Sequence, residues 1–212
     1  MADLIVHLIR HGQTDDNANK IIQGQKDTPL NQAGIHQASL LASNAFAPSV
    51  IDGWSYVWSS DLMRAAQTAK ILLSASATPP TLMTTPRLRE RYMSSLQGLE
   101  ISALSSRPMP ANAETVPQMQ ARGLAFWKDE ILSLAEKANG DTVALVSHGA
   151  FRLLSLPPDI HPALLPNTSV TTLHLNRQGL GVLKTWADVS HLVGHGPTET
   201  LDSRLLNLCG GE

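Results

Sequence analysis

Apolar positions fall into a few short unbroken runs and several longer periodic stretches. Leu4-Ile5-Val6-His7-Leu8-Ile9 is nearly continuous and predicts a strand buried on both faces, as in a parallel sheet. It stops at Arg10-His11-Gly12, where polar groups and a glycine begin. Asn31 predicts the N-cap of a helix reaching about Phe46, with Ile35, Ala38, Leu41, Ala42 and Ala45 along one stripe. Tyr56-Val57-Trp58 predicts a second strand. It ends at Ser59-Ser60-Asp61, which reads as the start of a helix over Leu62 to Ser74. Pro79-Pro80 breaks the chain ahead of a short strand at Leu82-Met83. Three prolines and many small polar residues mark 99–118 as a loop or short lid. From about Gln118 to Asn139, Leu124, Trp127, Ile131, Leu134, Ala135 and Ala138 recur at helical spacing, and Asn139-Gly140 predicts the stop. Thr142 to Val146 is another apolar run. It ends at Ser147-His148-Gly149, before a helix through Leu156 that Pro157-Pro158 terminates. Val170 to Leu175 and Gly181 to Trp186 predict two late strands around the turn Asn176-Arg177-Gln178-Gly179.

Strands alternating with helices predict an α/β chain: a three-layer α/β/α sandwich with a mostly parallel central sheet. In such sheets ligands bind just beyond the carboxyl ends of the strands. Two of the predicted strands end in X-His-Gly, and a third is followed by Arg64 one turn into the next helix. The pattern therefore gathers His11, His148, Arg10 and Arg64 at one rim.

Composition narrows what that rim serves. The chain has 212 residues, 42% of them hydrophobic and 16% charged, which suits one domain with its own core and excludes a disordered chain. Sixteen basic and eighteen acidic residues leave a formal charge of −2, so no basic bias favours nucleic acid or an anionic membrane. An anionic ligand then requires cations concentrated locally. A lone Cys209 cannot close an internal disulfide, and the apolar run near the start is too short for a signal peptide or a membrane span. The expectation is a soluble, cytoplasmic protein; its oligomeric state is not legible.

Arginine's planar fork matches phosphate oxygens and stays charged at any working pH. Cationic neighbours disfavour a protonated imidazole, and a neutral histidine is a competent nucleophile. Such a rim suits phosphoryl transfer, which still needs an acid for the leaving oxygen. Glu90, within Arg87-Leu88-Arg89-Glu90-Arg91 and ahead of Gly98, is the best placed carboxylate in the sequence.

Leu8-Ile9-Arg10-His11-Gly12-Gln13-Thr14-Asp15-Asp16-Asn17 resembles the R-H-G-x-T-x-x-N signature of the histidine phosphatase (phosphoglycerate mutase-like) superfamily. The similarity continues in the family's order. It runs through Gln23-Gly24, Asp27-Thr28-Pro29-Leu30, Gly34 to Ala38, Ser59 to Ala69, Leu88-Arg89-Glu90, Val146-Ser147-His148-Gly149 and Pro166-Asn167-Thr168-Ser169-Val170. The resemblance implies a phosphoglycerate mutase-like fold over 1–195, with 99–118 over the site and 196–212 as a C-terminal tail. It implies His11 as the nucleophile that becomes phosphohistidine. Arg10, Arg64 and His148 would hold the phosphoryl group, Glu90 would be proton donor and then base, and Asn17 a phosphate contact. Gln23 and Gly24 would line the substrate mouth. No metal or other cofactor is implied, because arginines supply the positive charge. The partner expected is a small phosphorylated metabolite.

Glu90-Arg91-Tyr92-Met93-Ser94-Ser95-Leu96-Gln97-Gly98-Leu99 is similar to the mutase segment E-R-H-Y-G-x-L-Q-G-L-N-K, so mutase-type phosphoryl transfer is the rival reading. Aligned without gaps, Met93 replaces the mutase tyrosine and Ile101 the mutase lysine, and the segment that follows is short with only Arg107. Keeping water off a phosphohistidine needs a substantial cover, so hydrolysis is favoured. A reading from another class is a non-catalytic domain that binds phosphorylated ligands.

Other polar residues have plain readings. His7 is a core or edge residue, His36 lies on the solvated side of its helix, Arg87 and Arg89 are solvated, and Trp127 is core. Arg91 and Tyr92 stand between substrate contact and surface, and Arg152 between site and solvent. His191 and His195 have a metal-compatible spacing, but Gly194 and Gly196-Pro197 argue against a helix there, so no metal site is expected. Cys209 reads as an inert tail residue.

Overall fold

The computed structural model describes residues 3–149 and 165–194, and among them a six-stranded sheet. Its strands are β1 (Leu4–Arg10), β2 (Tyr56–Ser60), β3 (Leu82–Thr85), β4 (Asp141–Ser147), β5 (Val170–Leu175) and β6 (Gly181–Asp188). They lie in the order β3-β2-β4-β1-β5-β6. The β3–β2, β2–β4 and β4–β1 pairs are parallel, whereas β5 runs antiparallel to both β1 and β6. The helices are α1 (Asp15–Ala18), α2 (Gln32–Leu40), α3 (Pro48–Asp52), α4 (Met63–Ser74), α5 (Ala103–Ser106), α6 (Val116–Phe126) and α7 (Ser133–Ala135).

The apolar runs are continuous because both sheet faces are covered. Val143 and Leu145 on β4 join one cluster with Leu4, Val6, Phe126 and Ile131. Ala144 and Val146 join the opposite cluster with Ile9, Leu41, Phe46 and Leu72. Successive strand residues point to opposite faces, so each layer of helices receives every second side chain. This is the three-layer, mostly parallel α/β sandwich expected.

Two helices depart from their predicted stripes for the same reason. A π-helical turn over Leu41–Ala45 follows α2, and another over Trp127–Leu132 follows α6. The wider turn resets the phase of the helix face. Ile35 and Leu124 are therefore 40% and 50% exposed and Ala45 faces solvent, while Phe46 and Phe126 are buried. The segment 99–118 also holds more structure than a loop. It contains α5, and its last residues open α6 under a Thr115–Gln118 capping box. Strand β2 runs on through Ser59 and Ser60, and Asp61 does not cap α4; the Met63 N–H instead donates to Asp27 Oδ1 at 2.6 Å. The helix expected through Leu156, Arg152, His195, the 196–212 tail and Cys209 lie outside the described residues.

Candidate active site at the strand ends

The pairing of β1 with β4 sets the site. Their parallel register ends at Arg10 opposite Ser147, so the next residues, His11 and His148, emerge side by side. The His11 N–H donates to Ser147 O at 3.0 Å, and the two imidazole centres are 5.1 Å apart. Strand β2 lies against β4, and α4 follows it with Arg64 in its first turn. Strand β3 leads through a 3₁₀ turn, Pro86–Leu88, to Glu90. The Ser147 hydroxyl donates to Leu88 O at 2.8 Å and ties that segment to the end of β4. Each of the four neighbouring parallel strands thus delivers part of the constellation.

Local contacts fix His11. Its Nδ1 lies 2.7 Å from Gly12 O. A carbonyl only accepts, so Nδ1 carries the hydrogen and Nε2 keeps its lone pair. The Gly12 N–H donates to Thr68 Oγ1, whose hydroxyl donates to Arg64 O. The His11 carbonyl receives Asn167 Nδ2 at 2.8 Å and the Thr168 N–H at 3.3 Å. Close backbone approach demands glycine at 34: a Cβ there would lie 2.0 Å from Gln13 O.

The ionisable groups are buried together. His11, His148 and Arg64 are 3%, 2% and 1% exposed. Burial, then the Arg64 and Arg10 guanidiniums, hold His11 well below its ordinary 6.5, against a smaller opposing pull from the Gly12 carbonyl. Burial, then Arg64, His11, Arg10 and Arg122, do the same to His148. Burial lowers Arg64 to about 10, with Glu90 and Asp27 pulling the other way, so it stays cationic at neutral pH. The terminal nitrogens of Arg64 donate to Gly24 O and Lys26 O at 2.8 Å each. Its Nε, and both ring nitrogens of His148, are buried without a hydrogen-bond partner. Unpaired polar atoms cost free energy in a protein interior, and an oxyanion would satisfy them.

The remaining expected residues divide. The Asn17 Oδ1 is taken by the Thr14 N–H and hydroxyl, each at 3.1 Å, and by Asn167 Nδ2, so only its Nδ2 is left for a ligand. Gly24 has a left-handed φ of 52° and presents its carbonyl to Arg64. The Gln23 Oε1 is buried and unpaired. Tyr92 is 36% exposed, and its N–H donates to Glu114 Oε2. Arg10 NH1 donates to Leu165 O. Arg91 Nε donates to Glu114 O at 2.6 Å. Arg87 and Arg89 are not merely solvated: Arg87 pairs with Asp129 and Glu130, and Arg89 takes Asp61 in a fork with both bonds at 2.7 Å. His7 fits the core-or-edge expectation: it is partly buried, bonded to Thr172 Oγ1 and packed on Phe46 and Trp54. His191 lies 3.0 Å from Thr168 Oγ1. Residues with no role in the sequence reading hold the site as well: Thr68, Asn167, Gln97, Glu114 and Arg122. Gln97 Oε1 accepts the Gln25 and Met93 N–H groups. Thr68, Gln97 and Asn167 carried a signal as parts of the 59–69, 90–99 and 166–170 similarities; Glu114 and Arg122 carried none.

A buried imidazole pair among guanidiniums, at the carboxyl rim of parallel strands, defines an α/β protein of the oxyanion-handling class. Comparison makes this specific: the chain belongs to the histidine phosphatase superfamily, branch 1, whose family model matches residues 6–189. It is 31% identical to a metal-independent phosphoserine phosphatase of Arabidopsis thaliana over 207 residues, 89% of this chain and 83% of the relative. It is also 31% identical to phosphoglycerate mutase-like protein 4 of the same plant over 211 residues, 90% of this chain and 87% of the relative. Among solved structures, a mycobacterial glucosyl-3-phosphoglycerate phosphatase complexed with VO3 superposes with a TM-score of 0.70. It is 27% identical, and the match covers 86% of this chain and 98% of that one.

Proposed function

We propose that this protein hydrolyses small phosphomonoesters through a phosphohistidine on His11. The observation that carries the reading is the Nδ1 contact with Gly12 O, which leaves the Nε2 lone pair of a neutral imidazole beside His148 and two guanidiniums. In the first step Nε2 bonds to phosphorus while the ester P–O bond breaks, and Glu90 gives its proton to the departing alkoxide. Arg10, Arg64, His148 and the Asn17 amide hold the non-bridging oxygens, whose charge they stabilise. In the second step Glu90 takes a proton from water, the water oxygen bonds to phosphorus, and the N–P bond returns its pair to Nε2. Gln23, Gly24 and Tyr92 form the mouth that receives the alcohol portion. The guanidiniums supply the positive charge, so the reaction proceeds without a metal ion.

Position 93 supports hydrolysis over isomerisation. Met93 is 8% exposed in an apolar cluster with Ile22, Leu96 and Ala103, so the place of the mutase tyrosine is turned into the fold. Ile101, in the place of the mutase lysine, is apolar and 51% exposed. The test is a panel of phosphorylated metabolites and p-nitrophenyl phosphate assayed for free phosphate in EDTA, with 3-phosphoglycerate isomerisation followed in parallel. Phosphate release without isomer interconversion is expected. Isomerisation outpacing release, or turnover abolished by chelator, overturns the proposal.

A further inference from the structure

The segment that carries Glu90 is gathered by one side chain from outside it. Arg122, on α6, donates from NH1 to the carbonyls of Arg87 at 2.9 Å, Arg89 at 3.0 Å and Pro86 at 3.3 Å. Its NH2 donates to Glu90 O at 3.4 Å and Glu114 Oε2 at 2.9 Å, and its Nε to Glu114 Oε1 at 3.0 Å. A guanidinium has five N–H bonds, and every one here is directed at protein oxygen. Arg122 therefore has no donor left for a substrate. Glu114 completes the hold on the far side of Glu90. Its Oε2 accepts the Tyr92 N–H at 3.1 Å, its own N–H donates to Tyr92 O at 2.9 Å, and its carbonyl accepts Arg91 Nε. The two side chains are only 21% and 16% exposed. The Glu90 carbonyl also accepts Gln25 Nε2, at 3.1 Å.

We infer that Arg122 and Glu114 are positioning residues for the proton donor: together they fix the backbone on both sides of Glu90 and so aim its carboxyl at the leaving oxygen. The inference rests on the reading of Glu90 as the acid. A planar fork locked to a carboxylate spans all these acceptors at once; a lysine, with three donors on one nitrogen, does not. The same fixed charge adds to those that keep His148 neutral.

Proton donation matters most for poor leaving groups, which gives a readout that simple loosening of the fold does not move. The experiment compares kcat/KM for p-nitrophenyl phosphate with that for glycerol 2-phosphate in the full chain and in E90Q, R122K and E114Q. E90Q should raise the aryl-to-alkyl ratio most. R122K should raise it about tenfold, a partial loss of general-acid assistance. E114Q should raise it less, and in both variants the basic limb of the alkyl-ester pH profile should move. If E90Q raises the ratio and both R122K and E114Q leave it at the wild-type value, the positioning role is overturned and the catalytic reading stands. If E90Q itself leaves the ratio unchanged, the reading of Glu90 as acid fails and takes this inference with it. Should R122K fail to fold by circular dichroism, E114Q decides.

Discussion

His11 is anchored by the sheet's main chain with help from Thr68 and Asn167, whereas Glu90 is suspended mainly from side chains. The first follows directly on a strand in register with its neighbour, and its carbonyl, ring and flanking amide are bonded at once to β4, Gly12, Thr68 and the 167–168 turn. The second lies in a short connection after β3, held by Arg122, Glu114, Gln25 and Gln97. Ladder bonds are cooperative and tolerate substitution of the side chains around them. A long-range side-chain clamp is lost with one residue. On the proposed mechanism, attack on phosphorus therefore rests on rigid backbone, and the step that depends on the substrate's leaving group rests on a segment whose aim a few residues decide.

Several perturbations would break or sharpen that contrast. The largest effect belongs to His11→Ala, which should lower kcat by at least about three orders of magnitude and abolish labelling of the protein by radioactive phosphate. Retained turnover in the folded variant would remove the nucleophile assignment. Glu90→Gln should slow glycerol 2-phosphate by about a hundredfold and p-nitrophenyl phosphate much less; the leaving-group series measures this, and equal slowing dissolves the contrast. Gly34→Ala attacks the backbone side. Its Cβ collides with Gln13 O, so the melt should reveal a loss of about 1–3 kcal/mol, the scale of overpacking. Gln97→Ala attacks the other side and should change the leaving-group ratio with a smaller drop in melting temperature. The smallest effect is in pH. Burial and the arginines hold folded His11 and His148 below 6.5, and burial followed by His174 lowers His7 to about 4. The unfolded chain takes up protons on these residues as pH falls through 6.5 while the folded chain does not. Their contribution to stability is therefore full above 6.5 and declines below it. Melting temperature should fall between about pH 7 and pH 5, and the acid limb of kcat/KM should lie below 6.5. A His7→Asn variant should flatten the melting slope; an unchanged slope would exclude His7 as a contributor.

The same contrast governs what the sequence discloses. Strands buried on both faces write themselves as apolar runs, and the polar residue that ends such a run marks the rim, so Arg10, His11, His148 and Arg64 were legible by position. Bonds from a side chain to a distant carbonyl leave no period and no composition. Arg122 reads as an ordinary polar residue of an amphipathic helix, and Gln97 as one residue of a turn. Ser59-Ser60-Asp61 carries the residue types of a helix cap, yet Arg89 claims Asp61 and the cap comes from Asp27. The π turns conceal themselves in the same way. A wide turn after each helix leaves Ile35 and Leu124 outside the buried stripe without a residue that betrays it.

Strand β1, the first in the chain, is flanked by β4 and β5, both of which come from far later. Its apolar edges have no sheet partner until β4 and β5 have emerged from the ribosome, and pairings so distant in sequence form slowly. A nascent chain would carry that sticky hexapeptide unpaired until β4 is made. Recovery of enzyme during refolding should therefore report the closing of the sheet's centre rather than the growth of its helices.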